Sequence, residues 1–374
     1  MCVHLFGASS TPSCASYALR RTAEDGKEWA APEAVEAILN NFYVDDCLST
    51  VSSDEHAVTL AKNLRNLCLS GGFHLSKWTS NSRALLTSIP EEDRVSGIQD
   101  LDLNKDQLPT ERALGVQWCT NSDAFKLKIE VQQKPCTRRG ILLVVSSAYD
   151  PLGFLAPFVL PAKLLLRELC KDKKAWDDEV SEEQAKRWNK WLSGLQKMSS
   201  FCVSRCIKPA GFGVVKRAQL HHLSDASNDG YGTVSYLLLT NENDQKFISF
   251  MIGKSRVAPL KLITVPRLEL TAAVIAVKMD KMLQCELQLK LEESRFWTDS
   301  MTVLKYIEND AARYKTFVAN RVSFIREVTK TSQWKYVSTA DNPADQASRG
   351  LSAEGLLHSK NWIQGPKFLL LSRE

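Results

Sequence analysis

The chain has 374 residues, of which 44% are hydrophobic and 24% charged, and it carries a formal net charge of +5. These proportions exclude a disordered or low-complexity chain and leave room for two or three domains with their own cores. The small basic excess is compatible with a nucleic-acid partner without requiring one. Ten cysteines follow no repeating spacing, and no apolar run approaches the length of a membrane span. Free thiols and an intracellular, cytoplasmic protein without membrane contact are therefore expected.

From the N-terminus, FGASSTPS reads as a turn running into a short helix, and a second helix ends near Asn40. Phe42-Tyr43-Val44-Asp45-Asp46-Cys47 reads as two short strands about a turn. Adjacent carboxylates after an apolar run suit either a tight turn or a divalent metal. Ser52 and Ser53 precede DEHAVTLAKNLRNLCLS, where Ala57, Leu60, Ala61, Leu64, Leu67 and Cys68 recur at helical spacing. Gly71-Gly72 stops that helix, and GFHLSKWTSN reads as a strand. Residues 87–111 are polar and irregular; ALGVQW and AFKLKIEV then flank Asn121-Ser122-Asp123 as a hairpin. From Thr137 to about Lys197 the pattern is helical, with an interruption expected across the three prolines of DPLGFLAPFVLP.

KPAGFG at 208–213 reads as a linker, and the pattern then changes. LHHLSDAS, GYGTVSYLLLT and KFISFMIGK are three successive strands, and PRLELTAAVIAVKMDKML is a long helix opened by Pro266. A strand (SRFWTD), helices over 300–308 and 314–329, a strand (QWKYVST) and a short helix near Pro343 follow. Three strands followed by alternating helices and strands predict an α/β (α+β) fold with a mixed sheet flanked by helices. Cys202, Cys206, His221 and His222 match no common zinc spacing.

Four acids stand at element ends in this half: Asp225, Glu269, Asp299 and Asp345. Singly, each reads as a cap or a surface charge. Converging on one sheet edge, they would need cations or raised pKa values, and two Mg²⁺ ions so held would serve phosphodiester cleavage.

The motifs D-A-S-x-x-G-x-G (225–232), P-R-L-E-L, W-T-D-S and N-P-A-D-x-x-S-R-G resemble ribonuclease H, in that family's order. The resemblance implies a five-stranded sheet over 217–350, with Asp225, Glu269, Asp299 and Asp345 as catalytic ligands of two Mg²⁺ or Mn²⁺ ions. It implies cleavage of RNA in RNA–DNA hybrids. The mobile histidine that many members carry before the fourth acid is missing from VSTADNPAD. That puts product release or rate in doubt and leaves the metal site intact.

FYVDD resembles the Y-x-D-D hairpin of the reverse transcriptase palm, with Asp45 and Asp46 as two of three metal ligands. FGASSTPSCASYAL, GGFHLSKW (with Lys77) and the ALGVQW/AFKLKI hairpin resemble neighbouring palm and primer-gripping segments. AYDPLGFLAPFVLPAKLLLREL, WDDEVSEEQAKRWNKW and FVANRVSFI resemble BEL/Pao retrotransposon polyproteins, so that the likeness covers essentially the whole chain. Its implied organisation is a partial palm at 1–110, a primer-grip-like hairpin with helical thumb and connection at 111–207, and a linker at 208–216. The ribonuclease H-like domain at 217–350 and a tail at 351–374 complete it.

In the family the third polymerase carboxylate and the fingers precede the Gly-Ser-Pro motif, so this chain is expected not to polymerise DNA alone. No D-T-G or D-S-G triplet marks a protease. Trp118, Lys126, Lys128, Arg138 and Arg139 are candidate nucleic-acid contacts, although each basic cluster taken alone reads first as a solvated face. Trp118, Trp176, Trp188 and Trp191 read as packing residues. Other retroelement Pol products are possible partners, and residence in virus-like particles or the nucleus stays open. The alternatives to a nuclease are a nucleic-acid-binding remnant that cleaves nothing and a decayed retroelement fragment.

Overall fold

The computed structural model describes residues 9–99, 101–103, 106–113, 115–127 and 134–371. It divides into two compact units, Met1–Phe125 and Lys126–Glu374. Among the described residues no helix is long and apolar enough to cross a membrane.

The first unit runs α1 (Thr11–Asp25), α2 (Pro32–Asn40), β1 (Phe42–Tyr43), β2 (Asp46–Cys47), α3 (Asp54–Ser70), α4 (Arg83–Ser88), α5 (Ser96–Gln99), β3 (Thr110–Ala113), β4 (Val116–Cys119) and β5 (Ala124–Lys126). Leu19, Ala23, Ile38, Leu64 and Leu67 join α1, α2 and α3 into one apolar core. Ser53 Oγ accepts the His56 N–H at 3.2 Å and fixes the start of α3. β3 pairs antiparallel with β4, and β5 follows β4 as the sequence predicts.

The strand expected over GFHLSKWTSN does not form. Lys77 adopts a left-handed φ of 58°, which breaks an extended run, and only Trp78 makes a bridge, to Arg94.

The second unit contains α6 (Arg138–Ser147), α7 (Ala156–Lys171), α8 (Glu182–Lys197), β6 (Cys202–Ser204), β7 (Val215–Ala226), β8 (Gly230–Asn241), β9 (Lys246–Val257), α9 (Val265–Glu286), β10 (Glu292–Thr298), α10 (Met301–Glu308), α11 (Thr316–Val328), β11 (Trp334–Tyr336), α12 (Ala344–Arg349), α13 (Ala353–His358), α14 (Lys360–Gln364) and α15 (Phe368–Leu371). Its sheet has the order β11-β10-β7-β8-β9. β7, β8 and β9 are antiparallel to one another, whereas β10 runs parallel to both β7 and β11.

Side chains alternate across a strand, and β7 shows what lies on each face. His222 bonds Asp280 of α9 at 2.9 Å, whereas Asp225, of opposite parity, bonds Ser348 of α12. Helices α9 and α12 therefore cover opposite faces. Leu270, Ala273, Val277, Phe296, Val322 and Trp334 form the core between β10, β11 and helices α9 to α11.

The expected interruption at the three prolines occurs only around Pro151; Pro161 lies inside α7. A helix-interior proline removes one N–H and orphans the carbonyl four residues earlier. Here that carbonyl, on Pro157, accepts the Leu351 N–H at 2.9 Å. The lost helical bond becomes a bond to the segment leaving α12.

The Asp150 carboxylate organises the approach to α7, accepting N–H bonds from Gly153, Phe154 and Leu155 at 3.0, 2.9 and 2.7 Å. The loop lies along the edge strand β9, where Gly253 N–H donates to Leu152 O at 2.8 Å. Gly153 has φ +78°, and a Cβ there would stand 1.8 Å from Gly253 O, so no larger residue fits. Phe212, within the segment read as a linker, is buried with Ala218, Leu237 and Ile252. Residues 353–371, within the segment read as a tail, form α13 to α15, and Trp362 is fully buried there. Its indole N–H donates to Phe154 O at 2.9 Å.

Candidate active site

The parallel neighbours β7 and β10 end side by side, and each delivers an acid: Asp225 in the last turn of β7 pairing and Asp299 just beyond β10. Helix α9 brings Glu269 in its first turns, and α12 brings Asp345 in its first turn. α12 can seat this closely because Gly232, the cross-strand partner of Asp225, has no side chain. A Cβ there would stand 2.6 Å from Ala347 Cβ and 2.7 Å from Lys254 O. Ser255 and Ser227 hydroxyls then hold α12 by its carbonyls, donating to Ala347 O at 2.5 Å and Ser348 O at 2.7 Å. The glycines and serine of D-A-S-x-x-G-x-G thus work as a seat for a helix.

Each acid is turned onto a donor. The Ser348 hydroxyl donates to Asp225 Oδ2. Ser300 donates to Glu269 at 2.6 Å, Thr339 to Asp299 Oδ2 at 2.7 Å, and Arg349 Nε to Asp345 Oδ1 at 2.5 Å. Burial, with the charges of Asp299 and Asp345 added, pushes the Asp225 carboxyl up to about 7, against hydrogen bonds from Ser348 and the Ala226 N–H. Burial also raises Glu269, helped by the charge of Asp299 and opposed by Ser300. The four predicted acids therefore share one electrostatic neighbourhood, Asp225 feeling Asp299 and Asp345, and Glu269 feeling Asp299.

Among the described residues, no three His, Cys, Asp or Glu side chains stand in a ready-made chelating group. The acids nevertheless fit a cation, because Asp299 Oδ1 is buried without a hydrogen-bond partner. An anionic oxygen left bare beside other carboxylates is costly unless a positive charge meets it. Ser300, Thr339, Ser348 and Arg349 were not singled out from the sequence. Ser300, Ser348 and Arg349 lie inside the quoted W-T-D-S and S-R-G motifs, which was the available signal.

In the first unit Asp45 and Asp46 are exposed at the β1–β2 hairpin, where Tyr43 pairs with Asp46. Val44 holds a φ of 54° there, an uncommon conformation for a β-branched residue and one that costs about 1–2 kcal/mol. Its side chain is more than half exposed, so little burial is at stake. Val44→Gly is expected to raise the stability of this unit by about 1 kcal/mol. Urea denaturation of the two chains checks it, and a lower midpoint for the variant would count against strain at this turn.

The other predicted contacts are mostly engaged within the chain. The Trp118 indole N–H donates to Asp123 at 2.9 Å. Arg138 lies over the Trp176 ring at 4.2 Å and donates to Lys174 O. Arg139 forms a two-pronged ion pair with Asp177, at 2.8 and 3.0 Å. Lys126 ends β5. Lys128 and residues 6–8 of the Gly-Ser-Pro motif lie outside the described residues. Trp188 and Trp191 are buried, and Trp191 stacks on Phe158, as packing residues do.

A mixed sheet of this strand order, with acids at the ends of its central parallel pair, defines a ribonuclease H-like domain. Residues 137–300 match the family described as the Pao retrotransposon-like RNaseH-like domain. This part of the chain is thus similar to that family; Asp225, Glu269 and Asp299 fall inside the matched span and Asp345 beyond it. No curated protein matches the sequence.

Among solved structures, a foamy viral protease-reverse transcriptase in complex with double-stranded DNA is 13% identical, with a TM-score of 0.44, over 82% of this chain and 47% of that one. This chain thus spans about half the length of that protein. RNase H1 from the archaeon Halobacterium salinarum is 12% identical, with a TM-score of 0.25, over 38% of this chain and 99% of its own. LC11-RNase H1 in complex with an RNA/DNA hybrid is 11% identical, with a TM-score of 0.22, over 35% of this chain and 93% of its own.

Proposed function

We propose that the second unit is a metal-dependent nuclease of the ribonuclease H type that cuts the RNA strand of RNA–DNA hybrids. The observation that carries this reading is the bare, buried Asp299 Oδ1 in the company of three further carboxylates. Asp225, Glu269, Asp299 and Asp345 would hold divalent cations, Mg²⁺ or Mn²⁺, which when bound activate water and stabilise a leaving oxygen. The chain's own part is to place four acids on rigid elements and to hold three of them by hydroxyl donors and Asp345 by Arg349. Arg349 offsets charge at Asp345 and, being exposed, is free to release it.

The test is cleavage by the full chain of a hybrid labelled on its RNA strand, with Mg²⁺ or Mn²⁺. RNA cleavage is expected with either ion and not in chelator, and Asp299→Asn lowers the rate at least ~10³-fold, the loss expected when metal catalysis goes. Equal rates for parent and variant, or no cleavage with either ion, would refute the reading. Hybrid binding that weakens with salt but gives no product would instead support a non-cleaving remnant.

For the first unit, the proposed role of Asp45 and Asp46 is that of polymerase-type ligands on a Y-x-D-D hairpin, with Trp118 and Lys126 as nucleic-acid contacts. Arg138 and Arg139 would reach a phosphate only by exchanging their present partners.

A further inference from the structure

Ser348 is fully buried, and its hydroxyl has two acceptors, the Asp225 carboxylate and Asp345 O at 3.0 Å. A hydroxyl has one proton to donate, and an ionised carboxylate is the stronger acceptor. The donor therefore belongs to Asp225. The side chain also sits one turn beyond Asp345 on α12, whose backbone is clamped to the sheet through Ser227 and Ser255. Ser348 is thus a rigid strut between the strand that carries the first acid and the helix that carries the fourth. Nothing else on α12 touches Asp225 by hydrogen bonding among the described contacts.

We infer that Ser348 is a positioning residue for metal binding: it fixes the Asp225 carboxylate relative to Asp299 and Asp345 without touching substrate or metal itself. The inference rests on the reading of the four acids as a cation site. Partners that orient a ligating group commonly set metal affinity by 10–100-fold, and one missing proton donor here should be felt as a weaker ion rather than a weaker substrate.

The experiment is an electron paramagnetic resonance titration of Mn²⁺ into the full chain, with circular dichroism to compare folds and hydrolysis kinetics alongside. Ser348→Ala is expected to weaken Mn²⁺ binding by at least about 10-fold. Ser348→Cys, which keeps a weak donor of similar size, falls between it and the parent. KM for the hybrid stays at the parental value, and the lost kcat returns as Mn²⁺ is raised. Parental Mn²⁺ affinity in Ser348→Ala overturns the assignment; if that variant does not fold, parental affinity in Ser348→Cys does so alone. Asp299→Asn separates the role of Ser348 from the cation site itself. If it abolishes Mn²⁺ binding while the Ser348 variants do not, only the role of Ser348 falls. If it leaves Mn²⁺ binding unchanged, the cation site falls, and the strut with it.

Discussion

In chelating buffer at pH 8, Asp225→Asn is expected to be more stable than the parent chain, by roughly 2–4 kcal/mol, and with Mg²⁺ supplied it is expected to lose the hydrolysis proposed for the parent. The parent holds a carboxyl whose folded pKa is pushed up from 3.8 to about 7, first by burial and then by Asp299 and Asp345. Between those values the native state binds more protons than the unfolded one, so stability falls as pH rises. The contribution is fully present below pH 3.8 and is lost as pH passes 7. Three pKa units correspond to about 4 kcal/mol, an upper figure for a group that is not wholly buried. Asn carries no charge at any pH and can still accept from Ser348.

The gap between the two chains should therefore be near zero at pH 4 and grow to a plateau above pH 7. His221, held down to about 3 by burial and by the charges of His222, Arg295 and Lys246, adds a slope of opposite sign. It does so equally in both chains and cancels in the difference. Adding Mg²⁺ should stabilise the parent alone and narrow the gap. Urea titrations across pH 4–8 measure this, and a variant that is no more stable than the parent at pH 8 would count against a buried Asp225 carboxyl crowded by neighbouring charge.

Trp362→Ala should be the most damaging of the substitutions outside the acid cluster, at about 3–5 kcal/mol. The ring is fully buried and lies against Phe250, at a centroid distance of 5.7 Å. It also lies over Gly253, where a Cβ would be 2.5 Å from its edge. Its loss opens a cavity and leaves Phe154 O without its indole donor. The Tyr236 hydroxyl, which donates to Trp362 O at 2.7 Å, depends on the same segment keeping its place. A shift in the urea midpoint worth less than about 1 kcal/mol would show that the last helices are dispensable.

The sheet was legible in the sequence from its alternating runs, whereas the four acids, each near an element end, were singled out only by the order of their four motifs. Strand ends and helix starts are where a parallel pair delivers side chains to one edge. What holds the acids was not legible. Ser300, Thr339 and Ser348 are ordinary hydroxyls until α9, β10 and α12 approach, and the spacing of a motif does not say which oxygen a proton will find. The same limit applies to Gly232, whose need for a missing side chain exists only because Ala347 arrives opposite it.

Two local rules misled. Alternation over GFHLSKWTSN suggested a strand, and the left-handed turn at Lys77 defeated it. The proline rule spread an interruption across all three prolines of DPLGFLAPFVLP, but at Pro161 it assumes that the freed carbonyl of Pro157 finds no partner. Leu351 supplies one.

That substituted partner bears on how the molecule can be divided. A fragment begun at the KPAGFG segment would strip the outer strand of Leu152, remove the acceptor of the Leu351 amide and leave the Trp362 indole facing nothing. It would carry every acid and yet present a raw strand margin, ready to stick to its own copies. The smallest soluble piece of this nuclease-like half should therefore begin before α6, even though the chemistry proposed for it begins almost ninety residues later, at Asp225.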